Sequence, residues 1–198
     1  MASFSDNFDR ADSSNIGTDW AEDSGDVEIT GNTLRQQTSG NVYRKTRLVG
    51  TAMDSDDYDS EVDGRASVSS NGFGAFGRGA VSSAVTYYAF VGFGGDAFYL
   101  VEITTGTENV LATGSSCTAN TTFNARVRCN GSTITGFRND VSDGSASDSS
   151  LTTGAVGCMF YNVMDGANDW LDNFAAADLA VAAGGMPTGV LQPMGIVW

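Results

Sequence analysis

Residues 58–68 read YDSEVDGRASV. In an extended chain Tyr58, Ser60, Val62, Gly64, Ala66 and Val68 share one face, and Asp59, Glu61, Asp63, Arg65 and Ser67 share the other. Side chains alternate across a strand, so this period of two describes a strand with one face in a core and one in water. The same logic extends in both directions. Residues 26–30 and 33–37 flank Gly31-Asn32, and residues 98–103 and 108–112 flank Thr105-Gly106, both hairpin signals. Residues 123–129 and 133–138 flank Asn130-Gly131-Ser132. Residues 41–48, 73–80, 86–92, 156–162 and 170–175 complete the set, while residues 140–150 read as a long loop. No long segment carries a 3.6-residue period. About a dozen strands point to an all-β, two-sheet antiparallel sandwich or jelly roll.

Composition agrees. The chain has 198 residues, 41% hydrophobic, with 25 Gly and 2 Pro, enough for one domain with a real core. Ten basic and 24 acidic residues give a net charge of −14, which argues against nucleic-acid binding. There is no histidine, which excludes His-based triads and imidazole metal ligands. No run of about 18 apolar residues is present, and the first residues lack the basic and apolar regions of a secretory signal, so neither membrane insertion nor export is expected. The sequons at Asn120 and Asn130 are then coincidental. Of the three cysteines, Cys129 and Cys158 alternate with apolar residues on strands and Cys117 falls in a loop; all are expected to be free.

The ends echo each other. FSDNFDRAD (residues 4–12) and LDNFAAADL (residues 171–179) both contain Asp-Asn-Phe. The opening residues 4–35, FGAFGRGA followed by TYYAFVGFGGDAFYLVEITTGTENVLATG, the pair NARVRCNGSTITGFRNDV, and the closing LTTGAVGCMFYN and WLDNFAAADL together resemble, in that order, the concanavalin-A-like lectin/glucanase superfamily, in particular its LamG-like and laminarinase-like branch. The resemblance spans about residues 4–179. It implies that the first and last strands pair antiparallel, with Phe8 and Phe174 in the core. Asp6 and Asp172 would then bond turn amides, or hold the structural calcium that many members carry. No other cofactor is implied.

The superfamily's retaining glucanases carry an E-x-D-x-x-E strand with carboxyls about 5 Å apart. Glu61-Val62-Asp63 is the nearest match, but the third acid falls at Ala66, on the core face. Arg65 shares the acidic face and would hold the carboxylates ionised. No catalytic residue is assigned. Residues 59–70 are no EF-hand, since Ser70 stands where a bidentate Glu is needed. Asp140, Asp143 and Asp148 offer at most weak chelation from a flexible loop. Trp20, Tyr43, Tyr87, Tyr88, Tyr99 and Trp170 would stack on sugars if they line the concave sheet; Trp20, Tyr88 and Trp170 are the first choices, and alternation sends one of Tyr87 and Tyr88 inward.

The functional expectation is a non-enzymatic structural or decoration protein of a virion, a phage head or tail surface, assembled in the host cytoplasm and able to bind a cell-surface glycan. A free-standing carbohydrate-binding module is the alternative, and a laminarinase-like hydrolase the next. Residues 1–179 would form the sandwich. Residues 180–198, AVAAGGMPTGVLQPMGIVW, carry no charge and would form an extended arm. Met186, Val190, Leu191, Met194, Ile196, Val197 and Trp198 would contact other virion proteins or further copies of the chain, as in a trimer.

Overall fold

A computed structural model describes residues 1–37, 40, 42–49, 53–162 and 168–180. Among these residues there are fifteen strands and no helix. They are β1 (Ser3–Asp6), β2 (Trp20–Glu22), β3 (Val27–Ile29), β4 (Leu34–Gln36), β5 (Tyr43–Leu48), β6 (Tyr58–Arg65), β7 (Gly72–Gly79), β8 (Tyr87–Phe93), β9 (Asp96–Thr104), β10 (Thr107–Cys117), β11 (Phe123–Asn130), β12 (Thr133–Arg138), β13 (Val141–Ser147), β14 (Ala155–Tyr161) and β15 (Trp170–Asp178). One sheet runs β13-β12-β11-β6-β15-β4-β3, with β1 also paired to β15; the other runs β10-β9-β8-β7-β14-β5-β2. All pairings are antiparallel.

The alternation in residues 58–65 holds: buried and half-buried positions alternate along all of β6. Val62, Val127 and Phe174 from the eight-stranded sheet meet Phe73, Phe90, Phe98 and Phe160 from the seven-stranded one in a single core. Phe90 stacks on Phe98 at 5.1 Å, and Phe73 meets Phe98 edge-on at 6.0 Å. The sheets approach closely enough to require glycine opposite these rings. A Cβ at Gly136 on β12 would lie 2.1 Å from the Phe90 ring, and one at Gly64 on β6 2.2 Å from Phe73.

The Asp-Asn-Phe echo closes the sandwich. β1 pairs with β15 in the register Ser3↔Ala177 to Asp6↔Phe174. Phe8 and Phe174 are both buried. Asp6 Oδ1 accepts the Phe8 amide at 2.8 Å, and Asp172 Oδ1 accepts the Asn173 amide at 2.8 Å.

Residues 140–150 are not the long loop expected. β13 pairs with β12 through Asn139-Asp140, whose φ values of 50° and 66° suit a type I′ hairpin turn without glycine. Asp143 then binds Ser115 on β10 through the Ser115 amide at 3.0 Å and hydroxyl at 2.6 Å, joining the edge strands of the two sheets. Cys117 is also not in a loop; it ends β10 and is buried. All three cysteines are free. Residues 181–198, with the whole apolar set Met186 to Trp198, lie outside the described residues.

Candidate functional site

β7, β8 and β14 are apolar almost without interruption, the pattern of strands buried on both faces. On β8, Tyr88 and Phe90 join the core between the sheets, while Tyr87, Ala89, Val91 and Phe93 join a second cluster on the outer face of the seven-stranded sheet. Four rings of that outer face form a row across the strands. Tyr43 on β5 meets Tyr161 on β14 at 4.8 Å, Tyr161 meets Phe93 on β8 at 5.4 Å, and Phe93 meets Tyr99 on β9 at 5.9 Å, each near edge-to-face. This is the favoured geometry for aromatic pairs. β7 lies between β14 and β8 and contributes Gly72 there, paired with both Tyr161 and Phe93. A Cβ on Gly72 would stand 2.8 Å from the Phe93 ring, so glycine at this position leaves the row continuous.

The rings line an open groove of about 360 Å³ together with Ser69, Asp96 and Glu108. The Tyr43 hydroxyl donates to Glu108, although four strands separate β5 from β10 in the sheet order; the sheet therefore curls across this face. The Tyr99 hydroxyl donates to Asp96 Oδ2 at 3.2 Å. Burial raises the Tyr43 phenol far above its usual range, helped by the hydrogen bond to Glu108 and its charge. Burial and then Asp96 raise Tyr99. Both phenols remain donors at neutral pH. The cations that share Tyr43's face of β5 by strand alternation, Lys45 and Arg47, are spent elsewhere: both pair with Asp23, at 3.2 and 2.7 Å.

Sequence reasoning reached part of this groove. Tyr43 and Tyr99 line it; Phe93, Tyr161, Asp96 and Glu108 were not anticipated. Tyr87 faces the same side but is fully buried, stacked on Phe76 at 5.0 Å. Tyr88 is the inward member of the pair, 0% exposed, so no sugar can reach its ring. Its hydroxyl donates to Asp148. Trp20 is 7% exposed and sits among Phe4, Phe8 and Phe174 at 6.0, 5.5 and 5.0 Å; it is a core residue and no stacking platform. Trp170 is half-buried on the eight-stranded sheet, paired with Arg65, and belongs to the other side of the sandwich.

Asp6, one of the two residues expected to hold calcium, already has partners. Its carboxylate takes two hydrogen bonds from Arg10, at 2.7 and 3.0 Å, one from the Trp20 indole at 2.8 Å and one from the Phe8 amide. Burial works to raise this carboxyl, but those donors and the Arg10 charge hold it below its ordinary value. A guanidinium is seated on both oxygens, where a dication would otherwise bind. Asp172 is raised by burial and by Asp63, Asp9 and Asp6. Among the described residues no three acidic or cysteine side chains converge on a metal position. The acids of residues 140–150 have partners too: Asp140 pairs with Arg126 at 2.9 Å, Asp143 holds Ser115 and Arg138, and Asp148 holds Tyr88 and Ser150.

The acidic face of β6 is a set of cross-strand pairs. Asp59 binds Arg128 at 2.6 Å, Glu61 lies 3.6 Å from Arg126, and Asp63 accepts from Asn124 and Asn173. Arg65 does not serve the carboxylates; it donates to Asn168 at 2.6 Å. Nor is the Glu61 carboxyl held below its ordinary value, as Arg65 was expected to do. Burial raises it against the pull of Arg126, and Asp140, Asp59 and Asp63 add to the rise. The carboxyls moved upward, Glu61 and Asp172, both lie on the eight-stranded sheet, away from the aromatic groove.

No protein-family model matches the chain, and neither does any curated protein. Solved structures do. A carbohydrate binding module, CBM66, from Bacillus subtilis aligns with a TM-score of 0.63 at 13% identity, over 81% of this chain and 93% of that one. A lichenase, a beta-1,3-1,4-glucanase from a mouse hindgut metagenome, aligns at 0.59 and 10% identity, over 90% and 99%. The Bacillus licheniformis beta-glucanase aligns at 0.56 and 14% identity, over 89% and 94%. At such identities the likeness is one of fold: the chain is a concanavalin-A-like jelly-roll sandwich.

Proposed function

We propose that this chain is a non-catalytic carbohydrate-binding protein that seats a sugar chain along Tyr43, Tyr161, Phe93 and Tyr99. The observation that carries the reading is the continuous row of rings in an open groove. Aromatic surface with a few placed polar groups is the usual makeup of a small-ligand site. Both a binding module and hydrolases share the fold, so fold does not choose between them. The outward positions of β8 support binding: Tyr87, Ala89, Val91 and Phe93 supply no carboxylate there, and retaining hydrolysis would need a close pair. A glycan array followed by titration calorimetry tests this. Tyr99→Ala and Tyr161→Ala should each weaken the best glycan about tenfold, the loss of one stacking contact, with unchanged circular dichroism. Absence of any glycan hit at high protein concentration, or release of reducing ends from a bound glycan, overturns it.

A virion surface role is the second reading. It is favoured by the composition of residues 180–198, uncharged and rich in apolar residues in an otherwise acidic chain, which suits contact with other chains. Deleting residues 186–198 should leave the β-sheet spectrum intact and abolish self-association or particle attachment. A truncated chain that still assembles rules the arm out.

A further inference from the structure

We propose that the groove selects a sugar carrying a free ammonium group, of the 2-amino-2-deoxyhexose class, over neutral and acidic sugars. This rests on the sugar-binding reading above and adds the charge of the ligand.

Among the described residues the lining holds four aromatic rings, one serine and two carboxylates, and no lysine or arginine. Ring faces carry negative quadrupole potential and attract an ammonium within about 6 Å. Each carboxylate spends one oxygen on a phenol: Glu108 Oε2 on Tyr43 and Asp96 Oδ2 on Tyr99. A carboxylate can accept at both oxygens, so Glu108 Oε1 and Asp96 Oδ1 keep acceptor capacity for a ligand. The phenols fix the carboxylates within the aromatic row. Lys45, two residues from Tyr43, does not offset this charge: its ammonium is committed to Asp23 and to the Ala80 carbonyl, neither of which lines the groove. The net charge of −14 extends the same preference outward, drawing cations toward the surface and repelling uronic or sulfated sugars.

The test uses the full chain and four tetrasaccharides at pH 6: β-1,4-glucosamine, its fully N-acetylated counterpart, a neutral β-glucan and a polyuronate. Calorimetry should show the glucosamine tetramer binding at least tenfold tighter than the other three, with the advantage shrinking as salt rises. Glu108→Gln and Asp96→Asn should each reduce that advantage several-fold while leaving the fold intact. Tyr43→Phe, which keeps the ring and frees Glu108, should retain the preference. Asp9→Asn, the same charge change at an exposed position, should change nothing. If the neutral or N-acetylated tetramer binds as well as the cationic one, the charge selection is wrong and the sugar-binding reading stands. Equal losses from Asp9→Asn and Glu108→Gln would mean attraction to net charge alone, which also overturns the selection. If no tetramer and no arrayed glycan binds, both readings fall.

Discussion

Asp6 on β1 accepts the indole N–H of Trp20 on β2 at 2.8 Å, and this bond crosses from the eight-stranded sheet to the seven-stranded one. The same carboxylate receives both Arg10 amino groups. Asp6→Ala should therefore cost about 2–3 kcal/mol, because it leaves an indole and a guanidinium without their acceptor. Trp20→Phe should cost about 1–2 kcal/mol. In a double-mutant cycle the two should couple by about 1 kcal/mol. Chemical denaturation measures all of these.

Because Arg10 occupies both oxygens of Asp6, adding millimolar calcium or a chelator should leave the melting temperature unchanged. A ligand that binds only the folded state must raise it. A rise with calcium that Asp172→Asn removes would return a metal to the seam.

Gly136→Ala places a methyl group 2.1 Å from the Phe90 ring. Overpacking of this kind should cost about 1–3 kcal/mol. Phe90→Leu in the same chain makes room, so the double variant should be more stable than the sum of the two single losses. Additive losses would mean that Phe90 is not what limits position 136.

Stability should rise as pH falls from 7 to about 5, then drop below about 4. Glu61 and Asp172 have carboxyls raised in the folded state, first by burial and then chiefly by neighbouring acids. They penalise the fold while ionised, and the penalty lifts as they take up protons below neutrality. Asp6 and Asp148 are lowered. Asp6 is lowered despite burial, by Arg10, the Phe8 amide and Trp20; Asp148 is lowered first by the hydroxyls of Ser150 and Tyr88. Their contribution is present above the unfolded carboxylate range and is lost as pH drops through their folded values. Thermal melts across pH 3–8 trace the curve, and Asp172→Asn should flatten its upper limb.

The sequence was most legible where one face of a strand meets water. In β6 the period of two is unbroken, and the Asp-Asn-Phe repeat falls at the seam that the family resemblance implied. It was least legible where both faces are buried. In β8 Tyr87 and Tyr88 are chemically alike, and only the register with β7 and β9 decides that Tyr88 faces inward. Tyr161 and Phe93 come together through Gly72, a contact between residues 68 positions apart that no local pattern encodes. β13 escaped notice for a different reason. Its small polar residues show no hydrophobic period, and its order comes from pairing with β12 and from the Asp143 bonds to Ser115.

Thiol reactivity should be silent in the native state. Burial pushes the Cys117 and Cys129 thiols up to about 12 and Cys158 well above its usual value. The thiolate is the reactive form, so a disulfide reagent at pH 8 should label none of the three thiols until denaturant is added, and then all of them.

Ala2 and Asp178 exchange hydrogen bonds, the Ala2 amide to the Asp178 carboxylate and the Asp178 amide to the Ala2 carbonyl, at the point where β1 begins and β15 ends. A tether pulling on both strands from these residues acts across the ladder and not along it. The Ser3–Asp6 segment would then peel from β15 one rung at a time, like a zipper opened from its end, where a sheared pair would resist with all its rungs at once. The jelly roll should thus yield to low force when stretched between these two residues.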